Sequence, residues 1–199
     1  MQNRGITLVI AVVSIAAIAC GGGSDGTVLT AVSTNLETFR ATMTGPSEVP
    51  SITSAGTGTF VATLDTVTNI FTYDITFTGL TSAAILAHIH GPATTTQAGA
   101  AIVDFSSLPG ATFDLGMAAG KGHGSLVLNA SNSITAGLRG DSLRKLLFAG
   151  LTYVNIHTAN NAGGEIRGQI LQTPEPGTLA LLGIGALGLL GTALRRRPA

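Results

Sequence analysis

Hydrophobic and polar residues alternate along most of the middle of the chain. In the stretch NIFTYDITFTGL, Phe71, Tyr73, Ile75 and Phe77 occupy every second position, with threonine or aspartate between them. Successive side chains of a β-strand point to opposite faces, so this alternation predicts a strand with one buried and one solvent-facing side. The period is two, and not the 3.6 residues of an amphipathic helix.

Similar runs recur at short intervals between residues 36 and 172. They are bounded by Gly, Pro, Asn or Asp, and they read ETFRATMTG, GTFVATLD, AAIVDF, GSLVLNA, LTYVNIHT and GEIRGQIL. Threonine is frequent in them, as it is on the exposed faces of sheets. Many short strands separated by turn residues predict an all-β domain, an antiparallel sandwich or barrel.

One stretch, DSLRKLLFAG, favours a helix instead. Asp141 is of a residue type that caps helix N-termini, and Gly150 is of a type that ends helices. The run is long enough for one or two turns. The sequence therefore predicts one short helix within a domain built from strands.

The N-terminal residues have the composition of a secretory signal. Arg4 precedes the apolar run Ile6–Ala19, which is short for a membrane span. The residues AIA end this run and form a small-x-small cleavage pattern. Residues 1–19 are therefore predicted to be a signal peptide, with an uncleaved N-terminal anchor as the alternative.

Cys20 stands directly after this cleavage pattern and is the only cysteine of the chain. A cysteine in this place, followed by GGGSDG, resembles the lipobox of bacterial lipoproteins, and the resemblance implies lipidation of the thiol. Ala17 departs from that box, which usually has leucine there. Residues 20–35 are predicted to form a flexible tether, and a single cysteine excludes an internal disulfide.

The C-terminal residues form a second hydrophobic segment. Pro174, Glu175 and Pro176 precede an apolar, glycine-containing span over residues 178–194, and three arginines follow. Such a span, about 17 residues, is at the lower limit for a transmembrane helix, and the arginines would remain in the cytoplasm. Residues 173–199 thus resemble the PEP-CTERM sorting signal of Gram-negative bacteria. The resemblance implies cleavage by an exosortase-type enzyme, and a plain C-terminal membrane anchor is the alternative.

The charge of the chain excludes one class of partner. Its formal net charge is 0 at pH 7, and 10% of its residues are charged. Binding to nucleic acid needs a basic surface, so no nucleic acid is expected as a partner. The two targeting segments instead predict an exported protein in the cell envelope or on the extracellular surface, with membrane contact through the C-terminal span.

The order of motifs in the middle of the chain is distinctive. TMTGPSEVP comes first, followed by GTFVATLD, FTYDITFTGL, AHIHGPA, YVNIHT and GGEIRGQI. This series resembles the CHRD domain over about Phe39 to Leu171, and residues 36–172 are assigned to a CHRD-like domain. The resemblance implies an exported all-β module without an established enzyme activity. The expected function is that of a non-enzymatic binding or matrix module, with an extracellular protein or polysaccharide as partner.

Three histidines are the candidate chemistry of this domain. His88 and His90 alternate onto one face of a strand, about 7 Å apart, and His157 ends a second strand. If the two strands are neighbours, the three imidazoles meet, and such clusters suit copper or zinc. The alternative is structural, because histidines in strands are often hydrogen-bonded to backbone or carboxylate groups. His123, in the glycine-rich GKGHGS, is expected to be an exposed loop residue.

The same motifs have a weaker similarity to copper/zinc superoxide dismutase. That family also has a GL-turn before an H-x-H strand, a later strand with a copper-ligand histidine, and a final turn containing NAG. The similarity implies an antiparallel Greek-key β-sandwich of the superoxide-dismutase-like type, with an immunoglobulin-like one as the alternative. It also makes a copper- or zinc-binding protein the alternative function. The bridging histidine, the zinc ligands and the cysteine pair have no counterparts here, and Arg167 is displaced from the position expected after NAG. These departures argue against dismutase activity.

Glu165 and Arg167 alternate onto one face of the last predicted strand. The plain interpretation is an ion pair on the strand surface, worth about 0.2–1 kcal/mol. The alternative is that one of them orients a neighbouring histidine, or closes the sandwich through a buried hydrogen bond. A structural role is favoured for both. Glu48 lies at a predicted turn, where it would either cap a loop or touch a ligand.

Overall fold

The computed structural model describes residues 35–131 and 138–173. Within these residues one α-helix, α1 (Gly140–Phe148), precedes the last two strands, and a three-residue 3-10 helix (Gly45–Ser47) follows the first strand. The strands of the same residues are, in chain order, β1 (Leu36–Thr44), β2 (Thr57–Asp65), β3 (Ile70–Thr78), β4 (Ala84–His90), β5 (Ala101–Asp104), β6 (Thr112–Phe113), β7 (Gly120–Val127), β8 (Thr152–Thr158) and β9 (Ile166–Thr173).

The described strands form one antiparallel sheet in the order β5-β4-β8-β9-β1-β2-β3-β7-β6. The sheet curls, and its inner face surrounds the core. β3 and β4 are consecutive in sequence but distant in the sheet, so the chain crosses from one half to the other between them, as in Greek-key folds. The predicted all-β antiparallel class is confirmed. The strands of the sandwich belong to a single hydrogen-bonded sheet.

The core lies on the inner face, where the alternating hydrophobic positions meet. Phe71, Tyr73, Ile75 and Phe77 of β3 are all buried, as the sequence pattern predicts. The ring of Phe60, from β2, stacks on Tyr73 with 6.3 Å between centroids and 14° between planes. Burial of apolar surface, worth roughly 25 cal/mol per Å², and ring contacts of this kind hold adjacent strands around one core.

Helix α1 covers part of this core just before β8. Leu143 and Leu147 lie about one helical turn apart and are both buried. Arg139 is the N-cap residue, and Asp141 lies inside the first turn, so the predicted capping role of Asp141 is wrong. Gly150 follows the helix with a φ of +64°, which suits the predicted stop because glycine tolerates positive φ.

The two predicted targeting segments lie on either side of the described residues. The predicted signal peptide, Cys20 and the tether as far as residue 34 precede them. The sorting motif Pro174, Glu175 and Pro176 follows them, together with the apolar span behind it. Among the residues that are described, no helix is long and apolar enough to cross a membrane.

Candidate metal centre

Strands β4 and β8 bring the three histidines onto one face of the sheet. Alternation along β4 puts Ala87 and Ile89 into the core, and it therefore turns His88 and His90 to the outer face. β8 pairs with β4, and the same alternation turns His157 outward. The three imidazoles consequently share one region of the outer face.

The three side chains converge within this region. His88 Nδ1 lies 3.0 Å from His157 Nε2. The ring centroids of His88 and His90 are 5.3 Å apart, and those of His90 and His157 are 5.8 Å apart. One ligand nitrogen from each residue lies within 4.8 Å of the other two. Imidazole nitrogens bind zinc at about 2.0–2.1 Å, so a small closure of the rings would place one ion within reach of all three.

Two of the rings are fixed by hydrogen bonds to backbone carbonyls. His90 Nδ1–H donates to the Gly99 carbonyl over 3.0 Å, and His157 Nδ1–H donates to the Ala162 carbonyl over 2.9 Å. Each bond selects the tautomer in which Nε2 carries the lone pair, the form that coordinates a metal. His90 Nε2 is buried and has no hydrogen-bond partner within residues 35–131 and 138–173. The cluster therefore contains a ring nitrogen, Nε2 of His90, whose lone pair is oriented and available to coordinate a metal ion.

Burial keeps the three imidazoles neutral. It lowers the pKa of His90 to about 4, although the hydrogen bond to Gly99 favours the protonated ring. Burial also lowers the pKa of His88, assisted by the neighbouring His157 and opposed by the carboxylate of Asp104. It is again the main cause of the lowered pKa of His157. Neutral imidazoles are the coordinating form, so protons do not compete for the site near neutral pH.

Tyr153 connects the histidine cluster with Arg167. Its ring stacks on His90 with 4.9 Å between centroids and 7° between planes, and the guanidinium carbon of Arg167 lies 3.5 Å from its centroid. The Tyr153 hydroxyl donates to the Gly99 carbonyl over 3.3 Å, the same carbonyl that accepts from His90. Tyr153 thus fixes the His90 ring. Sequence reasoning missed it, although its alternation with His157 in YVNIHT could have identified it.

Glu165 is a fully buried carboxylate surrounded by hydroxyl groups. Ser54, Thr81 and Thr158 donate their side-chain hydroxyls to it over 2.6–2.7 Å, and the Thr81 backbone N–H adds a further bond. Burial by itself would raise the pKa of Glu165, but these hydrogen bonds outweigh it and lower the pKa to about 2. The carboxylate therefore joins the turn before β9 to two distant loops.

Arg167 is buried to the same degree as the core, with 2% of its surface exposed. Its Nη2 donates to the Thr94 carbonyl over 2.8 Å. Burial lowers the pKa of Arg167, while Tyr153 and Glu48 act against that shift. Because both Glu165 and Arg167 are buried, they do not form a pair on the strand surface. Arg167 instead packs on the ring that holds His90.

Glu48 lies next to the site on the loop that follows the 3-10 helix. Its side chain is 8% exposed, and its Oε1 is buried without a hydrogen-bond partner in the described part of the chain. Burial raises the pKa of Glu48 to about 7, opposed by Arg167 and by a hydrogen bond with Asn155. A cavity of about 160 Å³ is lined by Glu48, Pro50 and Gly164, among other residues.

His123 lies apart from the cluster. It belongs to β7, in the other half of the sheet, and not to the predicted loop. Its Nδ1 is 2.8 Å from Asp74 Oδ1, and its side chain is 59% exposed, as expected. It is therefore a suitable control residue for tests of the three clustered histidines.

The fold and the site together define an all-β domain with a cluster of three histidines, His90 and His157 buried and His88 half-buried, on the outer face of its sheet. A family model described as CHRD domain matches residues 39–170, and the chain belongs to this family. A second model, described as PEP-CTERM protein-sorting motif, matches residues 172–197. No curated protein and no solved structure matches the chain.

These matches confirm the two resemblances found in the sequence, to the CHRD domain and to the PEP-CTERM signal. The protein is an exported surface protein that is processed by an exosortase-type enzyme and anchored to the membrane before processing, as is typical of Gram-negative bacteria. The similarity to copper/zinc superoxide dismutase, the lipidation of Cys20 and the extracellular partner stay predictions.

Proposed function

We propose that this domain is a non-enzymatic metal-binding module that holds one copper or zinc ion between His88, His90 and His157. One observation carries the proposal: three neutral imidazoles converge to within 4.8 Å, and two of them are oriented from behind by backbone carbonyls. Proteins commonly orient metal-ligating histidines by such hydrogen bonds from the ring N–H to a backbone carbonyl. Copper and zinc are the metals that imidazole clusters favour.

A purely structural role explains these contacts less completely. The bond between His88 and His157 would satisfy two ring nitrogens without a metal. The same bond leaves His90 Nε2 buried without a hydrogen-bond partner among the described residues. Burying a polar atom in this way costs about 1–3 kcal/mol of stability. An ion coordinated by Nε2 removes this cost, whereas a structural interpretation needs the neighbouring Asn155 amide to serve as the partner of Nε2.

Membership of the CHRD family and the sorting signal support a site of action outside the cytoplasm, in the cell envelope or on the extracellular surface. The expected extracellular protein or polysaccharide partner belongs to the same proposal, as a second ligand of the module. The departures from the superoxide dismutase pattern, such as the missing bridging histidine, argue against a dismutase reaction.

Metal titration tests the proposal. The full chain, purified in detergent with Cys20→Ser to remove its only thiol, is titrated with Cu(II) and Zn(II) in a calorimeter. We expect one equivalent to bind, and His88→Ala, His90→Ala and His157→Ala each to abolish stoichiometric binding. His123→Ala is the matched control, since its ring lies on β7 and is exposed, and it should bind as the parent does.

The opposite result is equally clear. If the parent binds neither ion stoichiometrically, and the three clustered variants only melt at lower temperature than His123→Ala, the cluster is structural. The search for a function would then move to the extracellular partner.

A further inference from the structure

Asn155 occupies the centre of the histidine cluster. It pairs directly with His88 across β4 and β8, and His90 is its diagonal neighbour on β4. His157 stands two residues further along β8, on the same face of the strand. Directly opposed, diagonal and alternate residues are the ones whose side chains meet on a sheet, so Asn155 adjoins all three histidines.

The Asn155 side chain is buried within hydrogen-bonding reach of His90. The side chain is 2% exposed, and Oδ1 has no hydrogen-bond partner in residues 35–131 and 138–173. The same holds for Nε2 of His90. With Nδ1–H of His90 donating to Gly99, both unpaired atoms are acceptors and cannot satisfy each other. A cation bound between Asn155 Oδ1 and His90 Nε2 would coordinate both lone pairs and so remove the cost of burying them.

Glu48 determines which end of the amide faces the histidines. Asn155 lowers the pKa of Glu48 as a hydrogen-bonding neighbour, which is the effect of an NH₂ group that donates to the ionised carboxylate. Asn155 Nδ2 and Glu48 Oε1 each lie 2.6 Å from the point that a Cβ on Gly164 would occupy. The missing side chain of Gly164 therefore leaves room for both groups. With its NH₂ group engaged there, the amide turns Oδ1 away from Glu48.

We infer that Asn155 Oδ1 is the fourth donor of the metal centre, an inference that rests on the proposed function. Three imidazoles and one amide oxygen make a four-coordinate set, the number usual for structural zinc. A carbonyl oxygen is a hard ligand, and a site that includes one favours Zn(II) or Cu(II) over the soft Cu(I) ion. Asn155 thereby sets the metal preference of the cluster.

Asn155→Leu removes the oxygen ligand and keeps the branched shape of the side chain. The full chain with Cys20→Ser is titrated with Zn(II), and its Cu(II) form is examined by electron paramagnetic resonance. We expect Asn155→Leu to bind Zn(II) about 10- to 100-fold more weakly and to give a different Cu(II) spectrum. The ratio of Cu(I) to Zn(II) affinity should rise in the same variant.

Gln169→Met is the matched control. Gln169 is also an amide with an unpaired buried oxygen in the described part of the chain, but it pairs with Tyr153 and adjoins none of the histidines. Its Nε2 donates to the carbonyls of Ala93 and Gly150, so the variant should melt at lower temperature while its Zn(II) affinity and Cu(II) spectrum stay those of the parent.

Asn155→Asp decides the question if Asn155→Leu does not fold. Aspartate keeps an oxygen in the same place and adds a charge, so this variant should bind Zn(II) at least as tightly as the parent. The inference is overturned by a Leu variant with parental affinity and spectrum, or by an Asp variant that binds more weakly than the parent. Failure of the parent itself to bind metal would instead overturn the proposed function.

Discussion

His88 Nδ1 lies 3.0 Å from His157 Nε2, although 69 positions separate the two residues in the chain. They are diagonal neighbours across β4 and β8, because His88 pairs with Asn155 and His157 pairs with Leu86. His157 already uses its Nδ1–H on a backbone carbonyl, so His88 is the donor and His157 the acceptor of this contact. A bound ion would replace that shared proton as the link between the rings.

His90 should make the metal-free domain less stable as the pH falls from about 6.5 towards 4. The pKa of His90 is lowered to about 4 in the folded chain by burial, whereas an unfolded histidine titrates near 6.5. Between these values the unfolded chain binds more protons, so the free energy of unfolding decreases with acidification, by about 2 kcal/mol after solvent screening.

Denaturant unfolding at several pH values, with chelator present, measures this effect. The His90→Gln variant lacks the titrating group and should show a flatter dependence over the same window. His123→Ala should keep the dependence of the parent. Glu48, whose pKa is raised to about 7, changes the stability of the parent in the opposite direction over part of this window. The test is therefore the difference between the parent and His90→Gln, and a difference that stays constant from pH 6.5 to 4 would contradict the buried, neutral state of His90.

Glu48→Gln should stabilise the domain more at pH 8 than at pH 5. Burial raises the pKa of Glu48 to about 7 in the folded chain, above its ordinary value of 4.5. The stability that this group contributes is therefore present below pH 4.5 and lost as the pH rises through 7, where a charged carboxylate becomes buried. Glutamine is neutral throughout and avoids this loss.

The measurement is the difference in free energy of unfolding between Glu48→Gln and the parent at the two pH values. Comparing the same pair of proteins at both pH values cancels the effect of the substitution on packing. A difference that stays constant, or that favours the parent at pH 8, would show that Arg167 compensates the charge in full.

Glu165→Gln should destabilise the domain by about 3 kcal/mol. The carboxylate accepts from Ser54, Thr81 and Thr158 with both oxygens, and an amide offers one oxygen and turns an NH₂ group towards the remaining donors. Thermal and denaturant unfolding at pH 7 measure the change. Glu37→Gln, which alters a carboxylate bonded to Gln172 near the surface, should change the free energy of unfolding by less than about 0.5 kcal/mol. Equal effects would contradict the structural role of Glu165.

Gly164→Ala should destabilise the domain by more than about 2 kcal/mol and weaken metal binding. Gly164 has a φ of +126°, and a Cβ there would lie 2.6 Å from both Asn155 Nδ2 and Glu48 Oε1. Gly163→Ala is the matched control one residue away, because a Cβ at Gly163 would meet nothing within 4 Å. Chemical denaturation and zinc titration of the two variants compare them directly. Identical behaviour would show that the contact between Asn155 and Glu48 tolerates the added carbon.

The period-two pattern of the sequence was sufficient to predict the all-β class and most strands, because alternation reflects a local property of the backbone. It placed Phe71, Tyr73, Ile75 and Phe77 on one buried face, as the structure has them. It missed β6, which spans Thr112–Phe113 and is too short to show a period. The N-cap of α1 was also misassigned, because Asp141 has a capping side chain but lies within the first turn.

Spacing and composition along the chain were enough to predict that His88 and His90 share a strand face and that the C-terminal end carries a sorting signal, which the matched family model confirms. The neighbouring positions of β4 and β8, which bring His157 to the pair, are visible only in the folded chain. The same is true of the burial of Glu165 and Arg167, and of the place of Asn155 among the histidines with Glu48 beside it. Strand pairing and burial depend on contacts between distant segments, and no local period of the sequence encodes them.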